Sequence, residues 1–270
     1  MSIVRLLGRT VLGFVAYMGQ LAQLTGEIIE SVCRSRIRFR QFLGQLAEIG
    51  FRSQTVVIVT GAFTGAVLAA QALYQLGIVK FNGASLDTGG GGLVAVGMFR
   101  ELGPTVTALM LAGRVGASMA AEIGTMKVSE QVDALRSMNV HPIDYLVTPR
   151  VLAMMISMPL LIAESAAFGI IASTVVGVNL FEIPGAYWMH QMTFYAGPGD
   201  IAFSLVKGFV FGILIVIISC HQGLNAKNGA VGVGQGATRG MVFSSLAVLV
   251  ANFFLTLLLN AFFPAGFVQK

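Results

Sequence analysis

"FRELGPTVTALMLAGRVG", residues Phe99 to Gly116, decides what kind of molecule this is. Arg100 and Glu101 stand close to Pro104, about a dozen residues fit for hydrocarbon follow, and Arg114 closes the run. Extended from Leu93 to Ala120, the stretch satisfies the requirement of about 20 mostly apolar residues for a helix that crosses a bilayer. It nevertheless carries charge at both ends.

The rest of the chain has the same character. Of 270 residues, 56% are hydrophobic and 11% charged, against about a quarter charged in a soluble domain. The mean hydropathy is +0.81. There is too little polar material to cover a globular surface, so lipid must be part of the solvent. Four further stretches read as spans: Gln54 to Ile78, Leu146 to Val178, Ile201 to Cys220 and Met241 to Phe263. Pro149 and Pro159 mark places where the third of the five spans can bend. The predicted fold class is an all-α integral membrane protein. An N-terminal interfacial amphipathic helix precedes five transmembrane helices and one short connecting helix. Residues 1–52 form the interfacial region and 53–270 the five-span domain.

The N-terminal assignment rests on period. Ile3, Leu6, Leu7, Val11, Phe14, Val15, Met18, Leu21, Ile28, Ile29 and Val32 recur at helical spacing, with Arg9, Ala16, Gln20, Gln23, Glu27 and Glu30 on the other side. Such a helix lies in the interface rather than across it. No short apolar core with a small-residue cleavage site precedes it, so it does not read as a signal peptide.

Basic residues orient the spans. Arg5, Arg9, Arg34, Arg36, Arg38, Arg40 and Arg52 precede the first. Arg114, Lys127, Arg136 and Arg150 surround the second connection, and Lys227 and Arg239 the fourth. The other side has only Lys80 and Lys270. The N-terminus is therefore expected in the cytoplasm and the C-terminus outside. The same placement accounts for the charge of +5 and the pI near 9.5 through anionic headgroups, without nucleic acid.

Catalytic signals are missing from the sequence. His141, His190 and His221 are scattered, and Cys33 and Cys220 have no metal or disulfide spacing. "TGGGGL" (88–93) and "NGAVGVGQGATRG" (228–240) lack the lysine–serine ending of a phosphate-binding loop. No catalytic residue, metal site or bound cofactor is assigned. Ionisable residues inside spans are costly and mark function by default; here they are Arg100, Glu101, Glu164 and Lys207. The four either pair with one another or snorkel to the interface, or Glu101, Glu164 and Lys207 serve as ion-coupling groups. Arg100 and Glu101 suit the polar wall of a cavity, because Pro104 leaves a backbone carbonyl without its helical donor. In the second connection, "TMKVSEQVDALRSMNVHP" (125–142) predicts a short helix over about 126–140. Ser129 serves as its N-cap, Glu130 and Asp133 complement its first turn, and Asn139 to Pro142 stop it. Its apolar stripe, Val128, Val132, Leu135 and Met138, either packs on the protein's own spans or docks in a partner's groove.

Residues 101–150, "ELGPTVTALMLAGRVGASMAAEIGTMKVSEQVDALRSMNVHPIDYLVTPR", resemble the central signature of the MlaE/YrbE family. Residues 232–256, "GVGQGATRGMVFSSLAVLVANFFLT", resemble its C-terminal pattern. These are permease subunits of ABC transporters that work with MCE-domain proteins on lipid. The chain departs from the family at "GAVG" (229–232), where an acidic residue is common in place of Val231. The resemblance implies a multi-pass permease of the bacterial inner membrane that is not itself an enzyme. It works as a homodimer with a cytoplasmic ABC ATPase dimer, which binds the ATP and Mg, and a periplasmic MCE-domain hexamer. The expected cargo is phospholipid, in the maintenance of outer-membrane asymmetry. It implies a lipid cavity lined by spans one and two, including Leu73, Tyr74, Arg100, Glu101 and Leu102. It makes the 126–140 helix a coupling helix that presents Glu130, Asp133, Leu135 and Arg136 to the ATPase. An alternative is a stand-alone ion-coupled carrier using Glu101, Glu164 and Lys207.

Overall fold

The structure, a computed structural model, describes residues 3–34, 39–77, 80–81, 84–85 and 90–262. Arg36, Arg38, Ile78, Thr88, Gly89, Phe263 and Lys270 lie outside the described residues, as do the side chains of Ile3, Arg5, Leu6, Leu7, Phe14, Cys33, Arg34 and Lys80.

Helix α1 (Ile3–Arg34) docks on the bundle along one seam. Leu24, Ile28 and Ser31 are buried, with Tyr17 and Leu21 half-buried, at the three- and four-residue steps of one helix face. Its hydroxyls fix the register: Ser31 and Thr148 share a 2.7 Å hydrogen bond, and the Tyr17 hydroxyl accepts one of 3.1 Å from Gln222. Val11, Leu12, Val15 and Met18 stay exposed on another face. The helix therefore has two apolar faces, one packed on the bundle and one left exposed. Gln20, expected on the polar side, lies 3.2 Å from His221 instead.

Five helical columns are long and apolar enough to cross a membrane: Phe39–Gln75, Gly90–Val128, Ile143–Asn179, Pro198–Leu224 and Gly229–Phe262. The protein is thus an all-α, multi-pass membrane protein with the five spans expected. The columns outrun the sequence ranges because a helix continues beyond the hydrocarbon that its apolar centre reveals. The first column consists of α2 (Phe39–Gly50), a 3₁₀ turn at Phe51–Ser53, and α3 (Gln54–Gly77). The 52/53 boundary falls in that turn. A two-residue antiparallel bridge, Lys80 with Ser85 and Phe81 with Ala84, follows it.

The second column is irregular. Helices α4 (Gly90–Gly97), α5 (Gly103–Leu111) and α6 (Ala117–Val128) are separated by π turns at Met98–Leu102 and Ala112–Gly116. After the short α7 (Gln131–Ser137), a third π turn at Ile143–Val147 leads into α8 (Thr148–Asn179). Pro149 sits in the first turn of α8 and Pro159 inside it. Helix α9 (Gly185–Tyr195) precedes α10 (Pro198–Leu224) and α11 (Gly229–Phe262).

Small residues let the columns touch. A Cβ on Gly61 would come within 2.4 Å of the Ser165 carbonyl oxygen, and one on Gly65 within 2.1 Å of the Gly169 carbonyl oxygen. Both partner positions advance by four, so α3 and α8 run parallel in backbone contact, as alternate crossings of a membrane require. The glycine run 90–92 has a similar use. Gly91 lies under Trp188 and Gly92 under Tyr195, where added Cβ atoms would meet neighbours at 3.0 and 2.2 Å. Those glycines seat α9 against α4, and the sequence reading had placed no helix there. The main core gathers Leu111, Ile123, Met154, Met158, Phe211 and Ile215, and a satellite core forms around Trp188.

Candidate functional site

The charges at the start of the second column converge with residues of α10 and α11. Pro104 cannot donate to the carbonyl four residues back, that of Arg100. Lys207 supplies the donor: its Nζ lies 2.7 Å from the Arg100 oxygen. The same ammonium donates to Glu101 Oε1 at 2.9 Å and to Thr256 Oγ1 at 2.8 Å, so all three of its hydrogens are used. Thr256 in turn donates to Glu101 Oε1 at 2.9 Å, and Asn252 Nδ2 donates to Glu101 Oε2 at 3.0 Å. Arg100 pairs through Nε with Asp200 and donates through Nη1 to Asn260 Oδ1, 2.6 Å away. Asp200 also accepts the Gly197 backbone N–H at 2.7 Å, closing the first turn of α10. The Phe203 ring lies beneath both cations, its centroid 4.8 Å from Arg100 Cζ and 4.9 Å from Lys207 Nζ.

The cluster holds two cations, Arg100 and Lys207, and two anions, Glu101 and Asp200. It adds no net charge to the hydrocarbon, and its main polar atoms are paired. That is the condition under which buried ions are tolerated. Exposure is unequal. Lys207 is fully buried and Asp200 nearly so, but the Glu101 side chain is 40% exposed. The site therefore presents a carboxylate outward, backed by an ammonium. An open apolar groove of about 460 Å³ is lined by Phe63, Thr64, Val67, Leu68 and Gln71 of α3 and by Leu102, the residue after Glu101 in the chain.

The sequence-named residues divide between groups. Leu102 lines the groove, and the Glu101 carboxylate is turned to Lys207, Thr256 and Asn252. Arg100, expected on the cavity wall, turns inward to Asp200 and Asn260. Leu73, expected beside the cavity, is buried in the satellite core because Gly90 packs directly on it. Tyr74 is exposed, with its ring edge-to-face against Phe181 at 5.1 Å. Lys207 pairs with Glu101 and not with Glu164. Among the described residues, no hydrogen bond or ion pair to Glu164 is seen; it ends an apolar groove of about 400 Å³ between α2 and α8. Asp200, Asn252, Thr256 and Asn260 were missed. The last three recur every four residues on the otherwise apolar second half of α11, a signal the sequence did carry.

The opposite end of the bundle is basic. Arg114 donates to Ser53, and Arg150, almost fully buried, pairs with Glu122 at 2.9 Å. Here α6 gives way to α7. Ser129 does not cap α7: its hydroxyl donates back to the Thr125 carbonyl at 2.8 Å and finishes α6. Glu130 takes the cap position with φ of 61°, a left-handed conformation. Asn139, with φ of 58°, ends the helix. Asp133 accepts from Lys127 at 2.9 Å and lies 3.5 Å from Arg136. The Lys127 hydrogen bonds hold its carboxyl below the usual range. Val132 is buried and Leu135 half-buried against the core, whereas Val128 and Met138 are exposed. An open groove of about 740 Å³ runs between α1, this connection and the end of α10, touching Gln23, Lys127, Arg136, His141 and His221.

Five spans and a neutral ionic cluster inside the bundle define a polytopic membrane protein. The model of the permease MlaE family matches residues 42–258. A probable ABC transporter permease protein of Rickettsia felis is 38% identical over 95% of this chain and 97% of its own. The intermembrane phospholipid transport system permease protein MlaE of Haemophilus influenzae is 33% identical over 96% and 97%. The chloroplastic protein TRIGALACTOSYLDIACYLGLYCEROL 1 of Arabidopsis thaliana is 34% identical over 90% of this chain and 67% of its own. The chain belongs to the MlaE permease family and is a membrane permease subunit of the ABC-transporter kind.

Proposed function

We propose that this permease moves phospholipid between the inner membrane and an MCE-protein assembly, as a homodimer driven by a cytoplasmic ATPase dimer that binds the ATP and Mg. The observation that carries the reading is the partly exposed Glu101 carboxylate of a neutral ionic cluster, followed in the chain by Leu102, which lines an apolar groove. That pairing of surfaces matches an amphiphile with a charged head and long tails. The relative from Haemophilus influenzae, named for intermembrane phospholipid transport, supports the cargo. Helix α11 supports a second copy: Leu246, Leu249, Val250, Phe253 and Leu257 leave its apolar face open. The basic end faces the cytoplasm by the positive-inside rule, with both the groove beside α7 and the exposed Met138 available to an ATPase. Glu130, Asp133 and Arg136 rim that surface, and Leu135 braces it from behind.

The reading is tested with the complex reconstituted in vesicles containing fluorescent phospholipid. Transfer to an acceptor is expected to require ATP and to survive collapse of the proton gradient. Transfer that needs the gradient and ignores ATP would overturn it. That outcome belongs to the ion-coupled carrier that uses Glu101, Glu164 and Lys207.

A further inference from the structure

We propose that the groove between α2 and α8 is a docking site for a transmembrane helix of another protein, one that carries a basic side chain at the depth of Glu164. The proposal does not depend on the cargo. The groove, of about 400 Å³, is lined by Leu43, Leu46 and Gly50 of α2 and by Ser157, Leu160 and Glu164 of α8. Leu43 and Leu160 are exposed on spanning columns, so the groove opens to the bilayer rather than into the bundle. Glu164 is half-buried, and among the described residues no hydrogen bond or ion pair reaches it. Ionisable groups at such positions are costly and are kept with partners.

Depth decides what can fill the groove. Gly61 of α3 meets Ser165 in the parallel crossing, which sets Glu164 level with Thr60. Thr60 is six residues into α3, about 9 Å along a helix, in a hydrocarbon core about 30 Å thick. A phospholipid carries its charges at the headgroups, and its acyl chains offer Glu164 no donor. Among the described residues, the chain's own cations within the spans and away from the basic end are Arg100 and Lys207. Both are buried in the ionic cluster, so a second copy supplies no cation either. A helix of another protein can bring a lysine to this depth, where the two charges neutralise each other. The floor of the groove suits a helix. A Cβ on Gly50 would lie 3.5 Å from the Ser157 hydroxyl oxygen, and small residues are what let helices approach closely in membranes. The Ser157 hydroxyl is itself buried without a hydrogen-bond partner among the described residues, so the groove holds two polar groups that the chain leaves unanswered.

The test uses the full chain in phosphatidylcholine vesicles with a synthetic single-span peptide of leucine and alanine, and reads binding by energy transfer between dyes on the two. One peptide has lysine about 9 Å inside one hydrocarbon edge, a second has leucine there and a third glutamate. The wild type is expected to bind the lysine peptide about tenfold more tightly than the leucine peptide. Glu164→Gln should erase that difference. Glu164→Lys should turn the preference to the glutamate peptide, a gain that damage to the fold cannot produce. Ala47→Phe fills the groove from an exposed position with Glu164 intact, and should lose the lysine peptide. Equal binding of the lysine and leucine peptides by the wild type, the result expected if lipid fills the groove, would overturn the proposal. So would a lysine preference that survives Glu164→Gln or Ala47→Phe. If Glu164→Lys yields no folded protein, the wild type and Ala47→Phe decide. None of these results bears on whether the protein moves phospholipid.

Discussion

Lys207 is the residue through which the site is assembled. It replaces the helix hydrogen bond that Pro104 cannot make and neutralises Glu101 in the same stroke. Lys207→Met leaves the buried Arg100 carbonyl without a donor and the partly exposed Glu101 without its cation, and about 1–3 kcal/mol should be lost, read as a fall in thermal stability in detergent. Thr256→Val removes one neutral partner and leaves Lys207 with two, so its cost should be nearer 1 kcal/mol. Similar losses for the two variants would mean the ammonium is not central. The individual charges were legible in the sequence, because Arg100, Glu101 and Lys207 interrupt apolar runs. Their pairing was not, since a hundred or more residues separate the partners. Asp200 was hidden by its other role, since an aspartate in the first turn of a helix looks like an ordinary terminus residue, and here it does bind the Gly197 N–H.

At the scale of elements, two contacts carry consequences. The α3–α8 crossing has no room for a side chain at Gly65, so Gly65→Ala should force the helices apart at about 1–3 kcal/mol. Gly44, which meets nothing within 4 Å, offers the matched control, and Gly44→Ala should be harmless. Unfolding temperatures of the two variants in one detergent decide it; equal values would remove the crossing from the account. Helix α7 is tied to α6 by Lys127 and Asp133. Because Asp133 titrates lower in the folded protein than unfolded, this tie is present above the ordinary aspartate range. It is lost as pH falls through the depressed folded value. Hydrogen exchange across 131–137, corrected for intrinsic rates, should show protection falling in acid for the wild type, with no such step in Lys127→Met. The stripe on α7 has a similar division: Leu135→Asp should loosen the helix itself, whereas Met138→Asp should spare the fold and weaken ATPase copurification. The five spans were legible because length and hydropathy suffice for them. The π turns were not, since one extra residue per turn barely disturbs an apolar pattern. Helix α9 was not either, because its composition is mixed and its anchors, Gly91 and Trp188, are far apart in sequence.

The whole molecule is a bundle with a neutral ionic cluster toward one end, arginines at the other, and an apolar α11 face left open along its length. Each of these surfaces makes sense only in company: lipid in the apolar groove of α3, a second copy on α11, an ATPase at the basic end. The resemblance of residues 101–150 to the permease signature was enough to name the family from the sequence, and the match over residues 42–258 agrees. Which faces point to cargo was beyond sequence reading, since the spans are apolar nearly all round and only packing separates buried from open sides. The most direct measurement is native mass spectrometry of the full chain, purified by a tag from its own host in mild detergent. The expected result is two copies of the chain with an ATPase and MCE subunits, retaining phospholipid. A lone chain without those subunits or lipid would contradict the permease assembly and turn attention to Glu164.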